Sequence, residues 1–194
     1  MEEVRARGSV AVVIPCFNDG PLVEEAVASA RSQEPPVEVI VVDDGSTDDA
    51  TRDACDRLEA DGVHVIHQSN AGPAPARLAG VRSTDADYVF PLDADDLLAP
   101  DGLHTLRAVL DADRDAAAAW GSVQSFGDLD HLHRARPSLD PWQVSYQNHL
   151  PICSLYRRTA LLEVGGWQLP GGYEDWDLWM SLAEQGWKGV GFPR

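Results

Sequence analysis

Short apolar runs alternate with amphipathic segments along the first half of the chain. The apolar runs are bounded by polar residues and rich in β-branched side chains, so they predict buried strands at residues 9–15, 37–42, 63–68 and 88–92. The segments between them carry apolar residues at helical spacing and predict helices at residues 21–33, 49–60 and 76–81, the last after a loop at residues 70–75. Repeated β-α units of this kind predict a parallel sheet with right-handed crossovers.

The second half of the chain has a less regular pattern. It predicts helices at residues 100–112, 159–164 and 174–185, and strands at residues 116–125 and 152–156. Residues 127–151 contain Pro, His and Asp with weak periodicity, which indicates an irregular or lid-like segment rather than a linker. The fold class expected is therefore α/β, with a mostly parallel sheet flanked by helices in a single domain that spans residues 1–194.

Composition and charge narrow the possible partners. The chain has 194 residues with 15 basic and 32 acidic side chains, a net charge of −17, so its surface repels nucleic acid and anionic membranes. Cys16, Cys55 and Cys153 lie far apart and match no metal-binding spacing, which favours reduced thiols and a cytoplasmic location. Neither a signal peptide nor an apolar run long enough for a transmembrane segment is present in this sequence.

Three carboxylates follow the fourth predicted strand. Asp93, Asp95 and Asp96 come after an apolar run, at the carboxyl end of a strand, where open α/β sheets bind ligands. Carboxylates one residue apart can share a hard cation such as Mg²⁺ or Mn²⁺. The alternative is an acidic turn that caps the next helix.

Other polar residues at strand ends are candidates for binding. Asp43 and Asp44 precede Gly-Ser and could accept hydrogen bonds from a base or ribose, although the same residues also suit a simple turn. Arg77 could contact a diphosphate, or could be an ordinary surface arginine. The pairs His64/His67 and His131/His133 have no metal-binding partners at a recognisable spacing, so they are interpreted as structural or exposed.

Two acids begin the last predicted helix. Glu174 and Asp175 follow the flexible Gly171-Gly172 pair and lie on the first helical turn, where the helix dipole favours negative charge. They could be capping residues, or one of them could be a general base reached by a substrate hydroxyl.

Taken together, these segments resemble the family 2 glycosyltransferases, which have the GT-A nucleotide-sugar-binding fold. The matching motifs occur in the expected order at residues 12–18 (VVIPCFN), 41–48 (VVDDGSTD), 70–72 with 76–77 (NAG and AR), 92–96 (LDADD) and 171–179 (GGYEDWDLW). Five ordered motifs across nearly the whole chain are more specific than any one of them.

The resemblance implies a role for each matched position. It implies an inverting enzyme that moves a sugar from a nucleotide-diphosphate donor, usually a UDP-sugar, to a glycan or another hydroxyl acceptor. Asp175 would be the catalytic base with Glu174 beside it, and Asp95 would bind the Mn²⁺ or Mg²⁺ that bridges the diphosphate, with Asp93 contacting ribose, donor sugar or metal. The remaining donor-side residues would be Pro15, Phe17, Asp43, Asp44, Asn70, Gly72, Arg77 and Ala94.

Two departures from the family pattern stand out. Leu78 follows Ala76-Arg77 where relatives usually carry asparagine, and the sequence ends at Arg194, so a C-terminal extension present in relatives is expected to be missing. Acceptor-facing residues are expected within residues 127–151. The alternatives are a non-catalytic nucleotide-sugar-binding domain and a phosphatase of the haloacid dehalogenase type, whose Asp-x-Asp motif instead follows an early strand.

Overall fold

The first four strands pair in parallel and form one half of a seven-stranded sheet. A computed structural model describes residues 8–169 and 172–192. The strands β1 to β4 pair in parallel in the order β3-β2-β1-β4 and have the bounds Val10–Cys16, Glu38–Asp43, His64–His67 and Tyr88–Pro91. The prediction of a parallel sheet from the first half of the chain is therefore confirmed.

Helices cover both faces of this sheet. The helices α1 to α4 have the bounds Leu22–Arg31, Asp49–Ala60, Pro73–Arg82 and Gly102–Ala112. Along β1, Val10, Val12 and Ile14 face the core formed with α1, α2 and α4, whereas Ala11 and Val13 face the core that includes α3. Because both faces are buried, the strand is apolar at every position rather than at alternate ones.

The second half of the chain extends the sheet and adds one antiparallel strand. Its strands β5 to β9 have the bounds Ala116–Trp120, Val123–Ser125, His131–His133, Leu155–Arg157 and Lys188–Gly191, and its helices α5 to α7 have the bounds Pro141–Val144, Arg158–Glu163 and Glu174–Glu184. The sheet continues as β4-β8-β5-β9, with β8 antiparallel to both neighbours and β9 parallel to β5. The chain thus has the expected mostly parallel α/β architecture in one domain.

Several predicted boundaries differ from the structure. Helix α3 begins at Pro73, within the predicted loop, because proline is compatible with the first helical turn. The strand predicted at residues 116–125 ends at Trp120, and β6 then pairs with β7 in a separate two-stranded sheet. Residues 127–151 are largely irregular, as predicted, but contain β7 and the short helix α5.

A close approach between α3 and β1 depends on one glycine. A Cβ atom added to Gly80 would lie 2.3 Å from a methyl carbon of Val13, so only glycine lets the helix pack this near the strand.

Across residues 8–169 and 172–192, no helix combines the length and the apolar character that crossing a bilayer requires.

Candidate active site

A cavity of about 490 Å³ lies at the carboxyl ends of the parallel strands. Because β1, β2 and β4 run in the same direction, the loops that follow them meet at one edge of the sheet. The cavity brings together most of the residues predicted for the donor and the metal: Pro15, Phe17, Asp44, Asn70, Gly72, Arg77, Asp93, Ala94 and Asp95. Asp43 is buried beside them at the end of β2.

Asp44 organises the loop between β3 and α3. Its Oδ1 accepts hydrogen bonds from Gln68 Nε2 at 2.7 Å and from the Ala71 backbone N–H at 2.9 Å, and its Oδ2 accepts one from the Gly72 N–H at 2.7 Å. The neighbouring Gly45 has φ +74°, and a Cβ there would lie 2.7 Å from the Asn70 nitrogen. The Asp-Gly sequence therefore shapes the wall of the cavity, because the carboxylate holds the loop and the glycine lets it approach.

Asp43 is held from two sides. Its Oδ1 accepts a hydrogen bond from the Ser46 N–H at 2.9 Å, and its Oδ2 lies 3.0 Å from His67 Nδ1. His67 stands opposite Asp43 in the register of β2 and β3, so strand pairing creates this contact. Burial alone would raise the pKa of Asp43, but the hydrogen bonds from Ser46 and His67 outweigh it and lower the pKa. His67 thus has the structural role expected of it, although its partner could not be read from the sequence.

The contact between His67 and Asp43 predicts a pH dependence of stability. The hydrogen bond with Asp43, with the charges of Asp43 and Glu59, raises the pKa of His67 above the ordinary value of 6.5. Because its pKa is higher in the folded state, protonated His67 stabilises the fold fully at pH values below the ordinary value, and this stabilisation is lost as the pH rises through the folded-state pKa. We therefore expect the Tm of the wild-type protein to fall more with rising pH than the Tm of a His67→Gln variant. Thermal unfolding between about pH 5.5 and 8.5 measures the difference.

A matched control for this prediction lies on the same strand. His64 is exposed, and its replacement in His64→Gln should leave the pH dependence of Tm as in the wild-type protein. Parallel Tm curves for wild-type and His67→Gln proteins would contradict the assignment.

Arg77 joins the two acidic loops of the site. Its Nη2 donates a hydrogen bond to Asp93 Oδ1 at 2.7 Å, and its Nη1 donates one to Glu174 Oε1 at 2.9 Å. Burial alone would lower the pKa of Arg77, but the attraction of Asp93 and the hydrogen bonds to both acids raise it, so the guanidinium stays charged. Arg77 is buried rather than a surface arginine, and its Nε has no partner among the described residues.

The loop after β4 concentrates negative charge. Ligand-type atoms of Asp93, Asp96 and Cys153 lie within 4.8 Å of one another, whereas Asp95 is exposed toward the cavity. Burial raises the pKa of Asp96, and the charges of Asp93 and Asp95 raise it further. Burial also raises the pKa of the Cys153 thiol, and the charges of Asp93 and Asp96 raise it further. The carboxylate oxygens of this loop suit a hard divalent cation.

Glu174 and Asp175 lie on the first turn of α7, as predicted. Asp175 Oδ1 accepts a hydrogen bond from the Trp176 N–H at 2.8 Å, and its Oδ2 accepts one from Asn148 Nδ2 at 3.0 Å. The residue before the helix, Tyr173, has the left-handed φ of 64°. Gly172 is exposed, while Gly171 lies outside the described residues. Glu174 accepts a hydrogen bond from the Arg77 guanidinium, whereas the side chain that contacts Asp175 is the neutral amide of Asn148.

Two residues of the site, Asn18 and Asn148, were not identified as candidates from the sequence. Asn18 Oδ1 accepts hydrogen bonds from the N–H groups of Thr47 and Asp48 at 2.8 and 3.2 Å, which links the loop after β1 to the turn after β2. Asn18 ends the motif at residues 12–18, so its position was a usable signal. Asn148 lies in the segment without periodicity, where nothing in the sequence marked it.

A second cavity of about 660 Å³ lies on the other side of the acidic loop. Asp96 and Cys153 line it together with mostly apolar side chains, among them Leu97, Phe126 and Phe192. The loop after β4 therefore separates a polar cavity from an apolar one.

Comparisons with known proteins identify the family of the chain. The profile of glycosyl transferase family 2 matches residues 11–165. An N-acetylglucosaminyltransferase of Mesorhizobium japonicum is 29% identical over 182 residues, which cover 80% of this chain and 41% of that protein. The chain thus spans less than half of this relative's length.

Two solved structures share the fold. S. aureus TarS 1-349 in complex with UDP-GlcNAc superposes with a TM-score of 0.70 at 19% identity, covering 96% of this chain and 59% of that one. The mannosyltransferase PcManGT from Pyrobaculum calidifontis, in complex with GDP-Man and Mn²⁺, gives a TM-score of 0.70 at 25% identity, covering 97% and 56%. Both are GT-A folds, which confirms the fold expected from the motifs. Because the family profile covers most of its length, the chain belongs to glycosyl transferase family 2.

Proposed function

We propose that this chain is the catalytic domain of a metal-dependent, inverting glycosyltransferase that uses a nucleoside-diphosphate sugar, with a UDP-sugar as the expected donor. The observation that carries the proposal is Arg77, whose guanidinium joins Asp93 after β4 to Glu174 beside the base candidate Asp175. This contact connects Asp93, which lines the cavity, to the first turn of α7. Apart from Asp43, the proposed donor residues line the same cavity.

In this proposal the nucleotide lies along the loops after β1, β2 and β3. Pro15 and Phe17 would contact the base, with Asp43 and Asp44 fixing the loops around it. Asn70, Gly72 and Ala94 would complete the donor wall. Phe17 is 43% exposed, so part of its ring is available for such contact.

The acidic loop would hold Mn²⁺ or Mg²⁺ through Asp95 and Asp93. When bound, the cation would offset the charge that develops on the leaving diphosphate. The carboxylates of this loop outnumber the positively charged side chains beside them, which suits a divalent cation. The complex of PcManGT with GDP-Man and Mn²⁺ supports this metal assignment.

Asp175 would act on the acceptor. Its carboxylate would take the proton from the acceptor hydroxyl as the hydroxyl oxygen forms a bond to C1 of the sugar. The bond between C1 and the diphosphate oxygen would break in the same step. A single displacement of this kind inverts C1. Asn148 holds the carboxylate in place without neutralising it.

A thermal-shift panel tests the proposal. UDP, UDP-GlcNAc, UDP-glucose and GDP-mannose are each added with and without Mn²⁺, and at least one sugar nucleotide should raise the Tm in a Mn²⁺-dependent way, because a ligand that binds only the folded state stabilises it. A protein that none of them stabilises, or one that instead releases phosphate from p-nitrophenyl phosphate, contradicts the proposal.

Replacing Asp95 tests the metal assignment. We expect Asp95→Ala to remove the Mn²⁺-dependent part of the shift and to weaken nucleotide binding about tenfold, because a ligand to the cation is lost. Titration calorimetry with UDP in Mn²⁺ measures the change. Asp128→Ala, which removes the same charge from an exposed position on the loop between β6 and β7, should bind as the wild-type protein does. Equal Mn²⁺ dependence in Asp95→Ala and wild-type proteins would remove Asp95 from the site.

A further inference from the structure

The segment at residues 141–149 is rich in aromatic and amide side chains. Its sequence, PWQVSYQNH, contains none of Asp, Glu, Lys or Arg. It combines two aromatic rings with three side-chain amides. Amides both donate and accept hydrogen bonds, and aromatic rings present flat apolar faces.

The aromatic rings of this segment face solvent. Trp142 is 77% exposed and Tyr146 is 58% exposed, and their ring centroids lie 6.1 Å apart. A third exposed ring belongs to Tyr173, which precedes α7 and packs edge-on against Trp176 at 6.1 Å. Large apolar side chains clustered at a surface mark an interaction site.

The segment is fixed to the helix that carries the base candidate. Trp176 Nε1 donates a hydrogen bond to the Val144 carbonyl at 2.5 Å, and Asn148 Nδ2 donates one to Asp175 Oδ2 at 3.0 Å. Helices α5 and α7 also pack against each other. The segment that carries Trp142 and Tyr146 therefore lies beside the end of α7 at which Tyr173 and Asp175 lie.

We propose that Trp142, Tyr146 and Tyr173, with the neighbouring amides, form the binding surface for a neutral saccharide acceptor. This inference rests on the proposed function, because it names the acceptor class of the same site. The C–H face of a pyranose ring packs on an aromatic face, and its hydroxyl groups match the donor and acceptor atoms of Gln143, Gln147 and Asn148. We refer to these three rings as the aromatic surface.

Charge and shape favour a neutral saccharide over other acceptors. Asp140 and Asp175 lie beside the aromatic surface and would repel an anionic acceptor. An acceptor with a long apolar tail would instead match the apolar cavity of about 660 Å³, which Phe126 lines. The two acceptor classes thus depend on different residues.

Binding to an array of immobilised oligosaccharides, neutral and anionic, tests the proposal. The wild-type protein should bind at least one neutral oligosaccharide. Trp142→Ala and Tyr173→Asn should weaken that binding about tenfold or more, as expected for truncating an aromatic anchor. Asparagine is chosen at position 173 because it tolerates the left-handed φ found there. Trp142→Phe keeps a ring and should restore most of the binding.

Two controls separate this inference from the proposed function. Phe126→Ala removes an aromatic ring of similar exposure, 60%, that lies outside the aromatic surface, and it should bind as the wild-type protein does. The sugar-nucleotide thermal shift in Mn²⁺ should be unchanged in every variant. If the wild-type protein shows no sugar-nucleotide thermal shift, the proposed function is wrong. The oligosaccharide array does not depend on the sugar nucleotide, so it tests the acceptor surface separately.

The following results would overturn the inference. They are a wild-type protein that binds no neutral oligosaccharide, binding that survives in both Trp142→Ala and Tyr173→Asn, or binding that Phe126→Ala alone abolishes. The last result would assign the acceptor to the apolar cavity.

Discussion

Asp175→Asn is expected to lower kcat for sugar transfer by about 10²- to 10⁴-fold, the usual contribution of a general base. Asparagine occupies the same volume and can still contact Asn148, but it cannot take the proton from the acceptor hydroxyl. The Kd of the sugar nucleotide should stay within about twofold, because Asp175 contacts the acceptor rather than the donor in the proposed arrangement. Nucleoside diphosphate release in the presence of acceptor measures the rate, and calorimetry measures the affinity.

A neighbouring acid on the same helical turn provides the control. Asp177 is also partly exposed on the first turn of α7, so Asp177→Asn makes the same change in charge and in the field at the helix end. It should retain nearly full activity. Full activity in Asp175→Asn, or an equal loss in Asp177→Asn, would show that the base lies elsewhere.

Arg77→Met is expected to destabilise the fold by about 3 kcal/mol, because removing one partner of a buried charge pair leaves the other charges uncompensated. Asp93 and Glu174 would then lack the guanidinium that both contact. Urea unfolding of the variant without nucleotide measures the free energy of unfolding.

A second replacement separates electrostatics from packing. If the uncompensated carboxylate causes the loss, the double variant Arg77→Met/Glu174→Gln should recover part of the stability lost in Arg77→Met, as a double-mutant cycle reports. Arg57→Met, which breaks the exposed pair between Arg57 and Glu24, should have a much smaller effect. A loss in Arg77→Met no larger than that in Arg57→Met would contradict the role of Arg77 as the link between the two loops.

The first half of the fold could be predicted from the sequence because its signals are local. The strands β1, β2 and β4 are short, mostly apolar runs. Helix α2 has the predicted bounds of residues 49–60 because Asp48 caps it through the Thr51 N–H. The start of α3 was placed too late because Pro73 and Pro75 indicate a loop when the first helical turn is not considered. The break after Trp120 could not be predicted, since pairing with β7 is a tertiary contact.

The site could be predicted only as far as its motifs extend. The residues that line the polar cavity were found because they follow strand ends that the parallel sheet brings together. The partners of those residues were not found, because sequence spacing does not show that Arg77 reaches Glu174 or that His67 stands opposite Asp43. The metal loop also differs in detail: Asp93 lies near Asp96 and Cys153, while the predicted ligand Asp95 is exposed at the cavity. The assignment of Asp95 to the metal stays a prediction.

The order of strands in the sheet affects how the protein is made. Strand β5 leaves the ribosome well before β8, yet β8 lies between β4 and β5 in the finished sheet. The parallel strands β1 to β4 can therefore assemble early during translation, whereas β5 must wait for residues 155–157 before it can join them. Nascent chains halted before Leu155 should accordingly resist protease in their N-terminal portion and be cleaved readily around residues 116–120.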